Sequence, residues 1–259
     1  LGLSNARAEF ATEFAKGGWD NQKNYVAMTA PYYCSFAANP KAWAGSTKGL
    51  VKGEVVLVDQ IQSEADIEKY KGKLAGKIVL MPVTQTYEIS FDPLAYRYTD
   101  EEMTAMESDP RPGRHSYRRT SGGGAMPSRE QMMKMRELQQ RFTKMLQSEG
   151  ALAIINTRGT FNVTSGSGAQ YKVGDPEPTP EITLPLEDGG RMARLLKRGE
   201  KVEMELDLKN VFTDNQKINN VIAEIPGTDP KLKNEIVLIG GHLDSWHGGT
   251  GGADNSSGC

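Results

Sequence analysis

From Ser128 onward Met132, Met135, Leu138, Phe142 and Met145 recur at three- and four-residue steps until Gly150, and Ala151-Leu152-Ala153-Ile154-Ile155 follows at once. That period is one face of an amphipathic helix, with Ser128 and Gln131 as a capping box at its start and Gly150 at its end. A helix that runs straight into a short apolar segment delivers the chain back to a sheet. Two further runs, Glu54-Val55-Val56-Leu57-Val58 and Gly76-Lys77-Ile78-Val79-Leu80-Met81, are bounded by glycine and charge and read as buried strands. Gly189 to Arg198 reads as another helix, and Lys201 to Leu208 alternates with period two, the mark of a half-exposed strand. Asn220 to Gly227 and Glu235 to Gly241 read as two more strands around the turn-forming Thr228-Asp229-Pro230. Near the amino terminus Leu3, Ala6, Phe10 and Phe14 fit a helical stripe that Gly17-Gly18 stops. The expected class is α/β.

Composition limits what such a chain can do. Hydrophobic residues are 37% and charged residues 25%, enough apolar surface for a core and too little net charge for disorder. Lys plus Arg is 31 against 33 Asp plus Glu, so no whole-molecule field draws in nucleic acid or an anionic membrane. No apolar run approaches the roughly 18 residues of a membrane span. Cys34 and Cys259 are far apart in sequence and make no disulfide framework; they read as two ordinary thiols. The stretch from about Thr84 to Pro127, with four prolines and Gly122-Gly123-Gly124, is too long for an ordinary connection and reads as an insertion or lid. His115 lies there among Arg111, Arg114, Arg118 and Arg119, most simply a solvated charge cluster. The chain divides into a lead-in (1–50) rich in aromatics, a middle region (51–210) and a last region (211–259).

The last region carries the informative segment, Gly240-Gly241-His242-Leu243-Asp244-Ser245-Trp246-His247-Gly248-Gly249-Thr250-Gly251-Gly252-Ala253-Asp254-Asn255. A strand ending at Ile239 would deliver His242 and Asp244 beyond its carboxyl end, where open α/β sheets place their ligands. Residues two apart on extended backbone point the same way, which sets the Asp244 carboxylate beside the His242 ring. A metal-bound imidazole commonly donates its other N–H to a carboxylate, and Asp254 can return to the same point across the glycines. Zinc takes histidine nitrogen and aspartate oxygen alike. From residue types alone a satisfied loop histidine with turn-forming carboxylates fits as well. His247, before Gly248-Gly249, reads as solvent-facing. The glycines lack the Lys-Ser/Thr ending of a phosphate loop.

The stretch from Gly240 to Asn255, with His242, Asp244 and Asp254, resembles the signature of the co-catalytic di-zinc exopeptidases, the family that includes plasma glutamate carboxypeptidase and secreted bacterial aminopeptidases. The resemblance implies that His242 is a ligand of one zinc, that Asp254 bridges two zinc ions, and that Asp244 is the catalytic-site acid that orients His242. It implies that 51–210 is a protease-associated domain, mixed β with flanking helices, and that 211–259 begins a zinc-exopeptidase α/β sheet domain on which the lead-in packs. In that family the general base and three more ligands come later than the position of Cys259. The resemblance therefore implies part of a larger metallopeptidase, expected on its own to bind metal weakly and hydrolyse little. It implies a peptide substrate and a secreted or periplasmic setting, without nucleic acid or membrane span, and is compatible with a homo-oligomer. The alternative function is a non-catalytic protease-associated module that binds peptides or a partner.

Overall fold

Ile78-Val79-Leu80, Ala153-Ile154-Ile155 and the run from Val55 to Val58 send alternate side chains to two different cores, so these strands are covered on both faces. Continuous apolar runs, rather than alternating ones, are what a strand buried on both faces requires. The computed structural model describes residues 2–84, 91, 97–108, 128–159, 168–252 and 254–259. In chain order the elements are β1 (Ser4–Glu13), β2 (Gly18–Ala30), β3 (Cys34–Ser35), β4 (Asn39–Pro40), β5 (Val51–Leu57), α1 (Glu64–Glu68), β6 (Ile78–Leu80), α2 (Asp100–Ser108), α3 (Arg129–Glu149), β7 (Ala153–Thr157), β8 (Glu181–Leu184), α4 (Leu186–Lys197), β9 (Glu203–Thr213), β10 (Lys217–Glu224) and a terminal 3-10 turn at Ser256–Gly258. Residues 1–85 with 138–259 form one compact unit, and 86–137 form another.

The main sheet has eight strands in the order β3-β2-β9-β5-β6-β7-β8-β4. Its centre, β5-β6-β7-β8, is parallel, and β2, β3, β9 and β4 join antiparallel, so the class is mixed α/β. Parallel neighbours need crossovers, which α1 and α3 provide. One core joins the β5-β6-β7-β8 centre to α4 through Met192 and Ala193; the other joins it to α1 and α3 through Ile67, Leu138, Phe142 and Leu146. The capping box of α3 is formed as read: the Ser128 amide donates to Gln131 Oε1 at 2.8 Å, and the Gln131 amide to Ser128 Oγ at 3.1 Å. The period-two reading also holds for β9, where Met204, Leu206 and Leu208 are buried and their neighbours are not. No helix among the described residues is long and apolar enough to cross a membrane.

Three readings are corrected. The stripe of Leu3, Ala6, Phe10 and Phe14 is not helical: Ala6 and Phe10 lie in β1, which pairs antiparallel with β10 as a separate two-stranded ribbon. That pairing reaches across more than 200 residues, and the ribbon is exposed on both faces, so neither period is imposed by burial. Glu235 to Ile239 is apolar but forms no strand: no described strand pairs with it, and Ile236, Val237, Leu238 and Ile239 are each about nine-tenths exposed (89%, 87%, 90% and 91%). A strand is a pairing of backbones, and composition alone does not supply one. On α3 the stripe is buried only at its end; Met132 and Met135 are exposed. Within the stretch read as an insertion, α2 is described; the Arg and His115 cluster lies outside the described residues.

Gly189 in α4 sits against β7. A Cβ there would fall inside contact distance of the Thr157 hydroxyl and 2.8 Å from its Cγ2. Alanine ordinarily improves a helix over glycine by up to about 1 kcal/mol. Here overpacking wins, and Gly189→Ala is expected to destabilise by about 1–3 kcal/mol. Denaturant unfolding measures it: adding Thr157→Ala should recover most of the loss, and a stabilised single variant would disprove the packing.

Candidate functional site

The segment after β10 has little regular structure, so side chains and glycine turns hold it in place. Gly251 adopts φ +73°, a left-handed conformation that glycine takes without strain, and the Ser256 amide donates back to its carbonyl at 2.9 Å. This turn brings Asp254 back toward His242. The His242 carbonyl accepts from Asn255 Nδ2 at 3.2 Å and from the Cys259 thiol at 3.3 Å. The peptide joining Asp254 to Asn255 is cis.

These turns bring the three site residues named from the sequence together. His242 Nδ1 lies 3.0 Å from Asp244 Oδ1 and 3.1 Å from the Asp244 carbonyl, and His242 Nε2 lies 3.1 Å from Asp254 Oδ1. Both partners of Nδ1 only accept, so Nδ1 carries the proton. The expected strand is missing, yet Asp244 still stands beside His242. The Asp244 hydrogen bond, helped by the charges of Asp244 and Asp254, raises the His242 pKa above its ordinary value against a smaller opposing desolvation.

A neutral imidazole protonated at Nδ1 presents a lone pair at Nε2, and Asp254 presents lone pairs to the same point. Two acceptors facing each other at 3.1 Å repel unless a second proton or a cation lies between them. Zinc is held at about 2.0–2.1 Å by histidine nitrogen and about 2.0–2.2 Å by carboxylate oxygen, so a nitrogen-to-oxygen separation of 3.1 Å corresponds to an angle of about 97° at the metal. The donor pair therefore suits one shared zinc. Among the described residues no group of three or more His, Cys, Asp or Glu is arranged to hold a metal, so an ion at this point would find two protein donors of the roughly four ligands zinc takes.

His247 does not join them. Its Nε2–H donates to the Pro40 carbonyl at 2.7 Å, and its ring meets Trp19 edge-on, centroids 5.3 Å apart. It is exposed, as expected, and it also ties the glycine loop to the lead-in. Cys34 and Cys259 are free thiols, as read.

The lead-in supplies what the sequence reading missed. A cleft of about 330 Å³ is lined by His242, Asp244, Asp254 and Trp246 on one side and by Trp19 and Trp43 on the other. Trp43 has φ +57°, a genuine outlier for a bulky side chain. Such strain persists only where the surroundings over-determine it. Here Lys41 is tied to Glu181 through its ammonium at 2.6 Å, and the Ala44 carbonyl accepts from Trp19 Nε1 at 3.1 Å and from buried Asn210 Nδ2 at 3.0 Å. Aromatic enrichment in 1–50 was the available signal; the backbone conformation that aims Trp43 was not readable.

Against known proteins, the carboxyl-terminal segment is the part that matches a family model. Residues 220–259 match peptidase family M28. The M28 match contains His242, Asp244 and Asp254 and stops short of β1 to β9. The chain is also similar to carboxypeptidase Q of Bos taurus, 34% identical over 113 residues, which is 42% of this chain and 23% of that protein. Leucine aminopeptidase 2 of Trichophyton equinum is 35% identical over 109 residues, 42% of this chain and 20% of that protein. The alignments thus span about a quarter or less of the curated relatives' length. Among solved structures, the peptidase M28 precursor of Shewanella amazonensis SB2B shares the fold, with a TM-score of 0.58 at 21% identity over 96% of this chain and 47% of that one.

Proposed function

We propose that this chain is the protease-associated region and first metal motif of a secreted zinc-dependent exopeptidase that hydrolyses peptide bonds. The observation that carries the reading is His242 held between two carboxylates, Asp244 on Nδ1 at 3.0 Å and Asp254 on Nε2 at 3.1 Å. The M28 match over the same residues and the similarity to a carboxypeptidase and an aminopeptidase support it. In this reading 51–210 is the protease-associated domain, whose sheet β2, β3 and β4 of the lead-in complete, and 211–259 is the start of the catalytic domain, which the lead-in meets through the pairing of β1 with β10.

His242 and Asp254 would hold zinc, and Asp254 would be the residue shared with a second ion. Bound zinc supplies a Lewis acid for the scissile carbonyl and lowers the pKa of water toward about 7. Asp244 holds the Nδ1 proton, which leaves the Nε2 lone pair available to a cation and would make the imidazole a better donor. Asn255 and Cys259 hold the His242 carbonyl and so fix the backbone from which the ring projects.

Calorimetric titration of the 259-residue chain with zinc tests the reading, and saturable though weak binding is expected. Asp244→Asn should weaken it about 10–100-fold, because the amide can present its N–H to Nδ1 and favour the wrong tautomer. If zinc gives no saturable heat, or if Asp244→Asn binds as the parent does, the proposal fails.

A further inference from the structure

We infer that the outer edge of β2 is a binding site for an extended peptide with basic side chains, which joins the main sheet as an added strand; reading that peptide as the uncut remainder of a substrate rests on the proposed exopeptidase function. β9 holds β2 along one side from Gly18 to Ala30, whereas β3 meets the other side only at Ala27 and Met28. From Gly18 to Asn24 no described strand pairs with that outer side. A row of unpaired N–H and C=O groups is a template for another backbone. From Trp19 to Asn24 the row runs about 17 Å at roughly 3.3 Å per residue, the length of a peptide of about five residues.

This edge lies in a groove of about 870 Å³, with Trp19, Asp20, Asn21 and Asn24 on one wall and residues 245–252 on the other. That volume takes several residues of peptide. The far wall leaves room for one strand and keeps a second sheet away, which separates a peptide site from an edge open to aggregation. The asparagines face the groove as acceptors. Asn24 Nδ2 donates to the Ala38 carbonyl at 2.6 Å, and Asn21 Nδ2 to the Lys23 carbonyl at 2.9 Å and to Asn210 Oδ1 at 2.8 Å, which leaves each Oδ1 to accept from a peptide N–H. The groove is closed off where the Val26 carbonyl accepts from the Phe36 amide at 2.9 Å. Charge selects the occupant: Asp20 and Asp254 line the groove, and among the described residues no Lys or Arg does. Complementary potential favours a basic peptide and turns an acidic one away.

The test is calorimetric titration of the 259-residue chain, without added zinc, with Ala-Lys-Ala-Lys-Ala, Ala-Glu-Ala-Glu-Ala and the dipeptide Lys-Ala, the backbone amide resonances locating the binding. The lysine pentapeptide should shift the amides of residues 18–24 and 245–252. It should bind about fivefold more tightly than the glutamate one and about tenfold or more above the dipeptide. A strand bonds its neighbour through alternate residues, so N-methylation of one alternate pair of peptide bonds should weaken binding about tenfold and of the other pair leave it nearly unchanged. Asp20→Asn should cut the charge preference to about twofold or less. Gly249→Leu should obstruct the groove and remove peptide binding while the chain stays folded, since a Cβ there meets no atom closer than 3.6 Å. Equal binding of the two methylated peptides, an undiminished charge preference in Asp20→Asn, or undiminished binding to Gly249→Leu overturns the inference. Peptide binding by a chain that takes up no zinc keeps the groove and refutes the exopeptidase reading; zinc binding without peptide binding refutes the groove alone.

Discussion

Phe142→Ala is expected to cost about 3–5 kcal/mol of stability, the largest loss from any single side chain in α3. Phe142 is fully buried and sits in the core formed by Val58, Ile67, Leu74, Val79, Leu138, Leu146 and Ile154. Its ring meets Tyr70 edge-on at 6.0 Å, and the Tyr70 hydroxyl accepts from the Asp59 amide at 2.7 Å. Deleting the ring therefore leaves a cavity and frees the aromatic partner that steadies the chain after β5. At roughly 2–4 °C per kcal/mol for a chain of this size, Tm should fall by about 6–20 °C. Met132→Ala, on the same helix but 53% exposed, should stay within about 0.5 kcal/mol and serves as the control. Equal effects of the two would mean that α3 is not the crossover packed on β6 and β7.

Phe142 also shows why this part of the fold was legible. Helix α3 announces itself by a 3.6-residue period, a capping box and a terminal glycine, all local in sequence, and β6 and β7 are short apolar runs because both their faces are covered. Where burial is absent, the signal is lost. β1 carries Phe10 at 60% exposure and owes its form to β10, so its spacing of apolar residues carried no information about its backbone. Ile236 to Ile239 erred in the opposite direction: strongly strand-like in composition, it has no described partner. The candidate site divides along the same line. His242, Asp244 and Asp254 lie within thirteen residues, and chemistry plus spacing was enough to group them. Trp19, Trp43 and the His247 bond to Pro40 come from the far end of the chain, and Trp43 depends on a positive φ that no spacing rule would assign to tryptophan.

His242→Ala is expected to abolish saturable zinc binding by the chain, a larger loss than Asp244→Asn produces. The imidazole supplies the nitrogen donor and is also the group through which Asp244 acts, so its removal leaves Asp254 as a lone exposed carboxylate. A single carboxylate in water does not outbid hydration for zinc. Asp254→Asn should come close to the same loss, since an amide is a poorer ligand than a carboxylate for a doubly charged ion. Two donors that act on one ion, as proposed, should not give additive losses: the double variant should bind no more weakly than His242→Ala alone, whereas two independent sites would give additive effects. Cys259→Ser removes the soft sulfur donor while leaving a hydroxyl able to reach the His242 carbonyl, so it should keep zinc affinity within a few-fold of the parent. If the loss instead followed Cys259, or if His242→Ala bound zinc undiminished, the 3.1 Å pair would be an ordinary charged hydrogen bond between imidazolium and carboxylate, and the metal assignment would have to be abandoned.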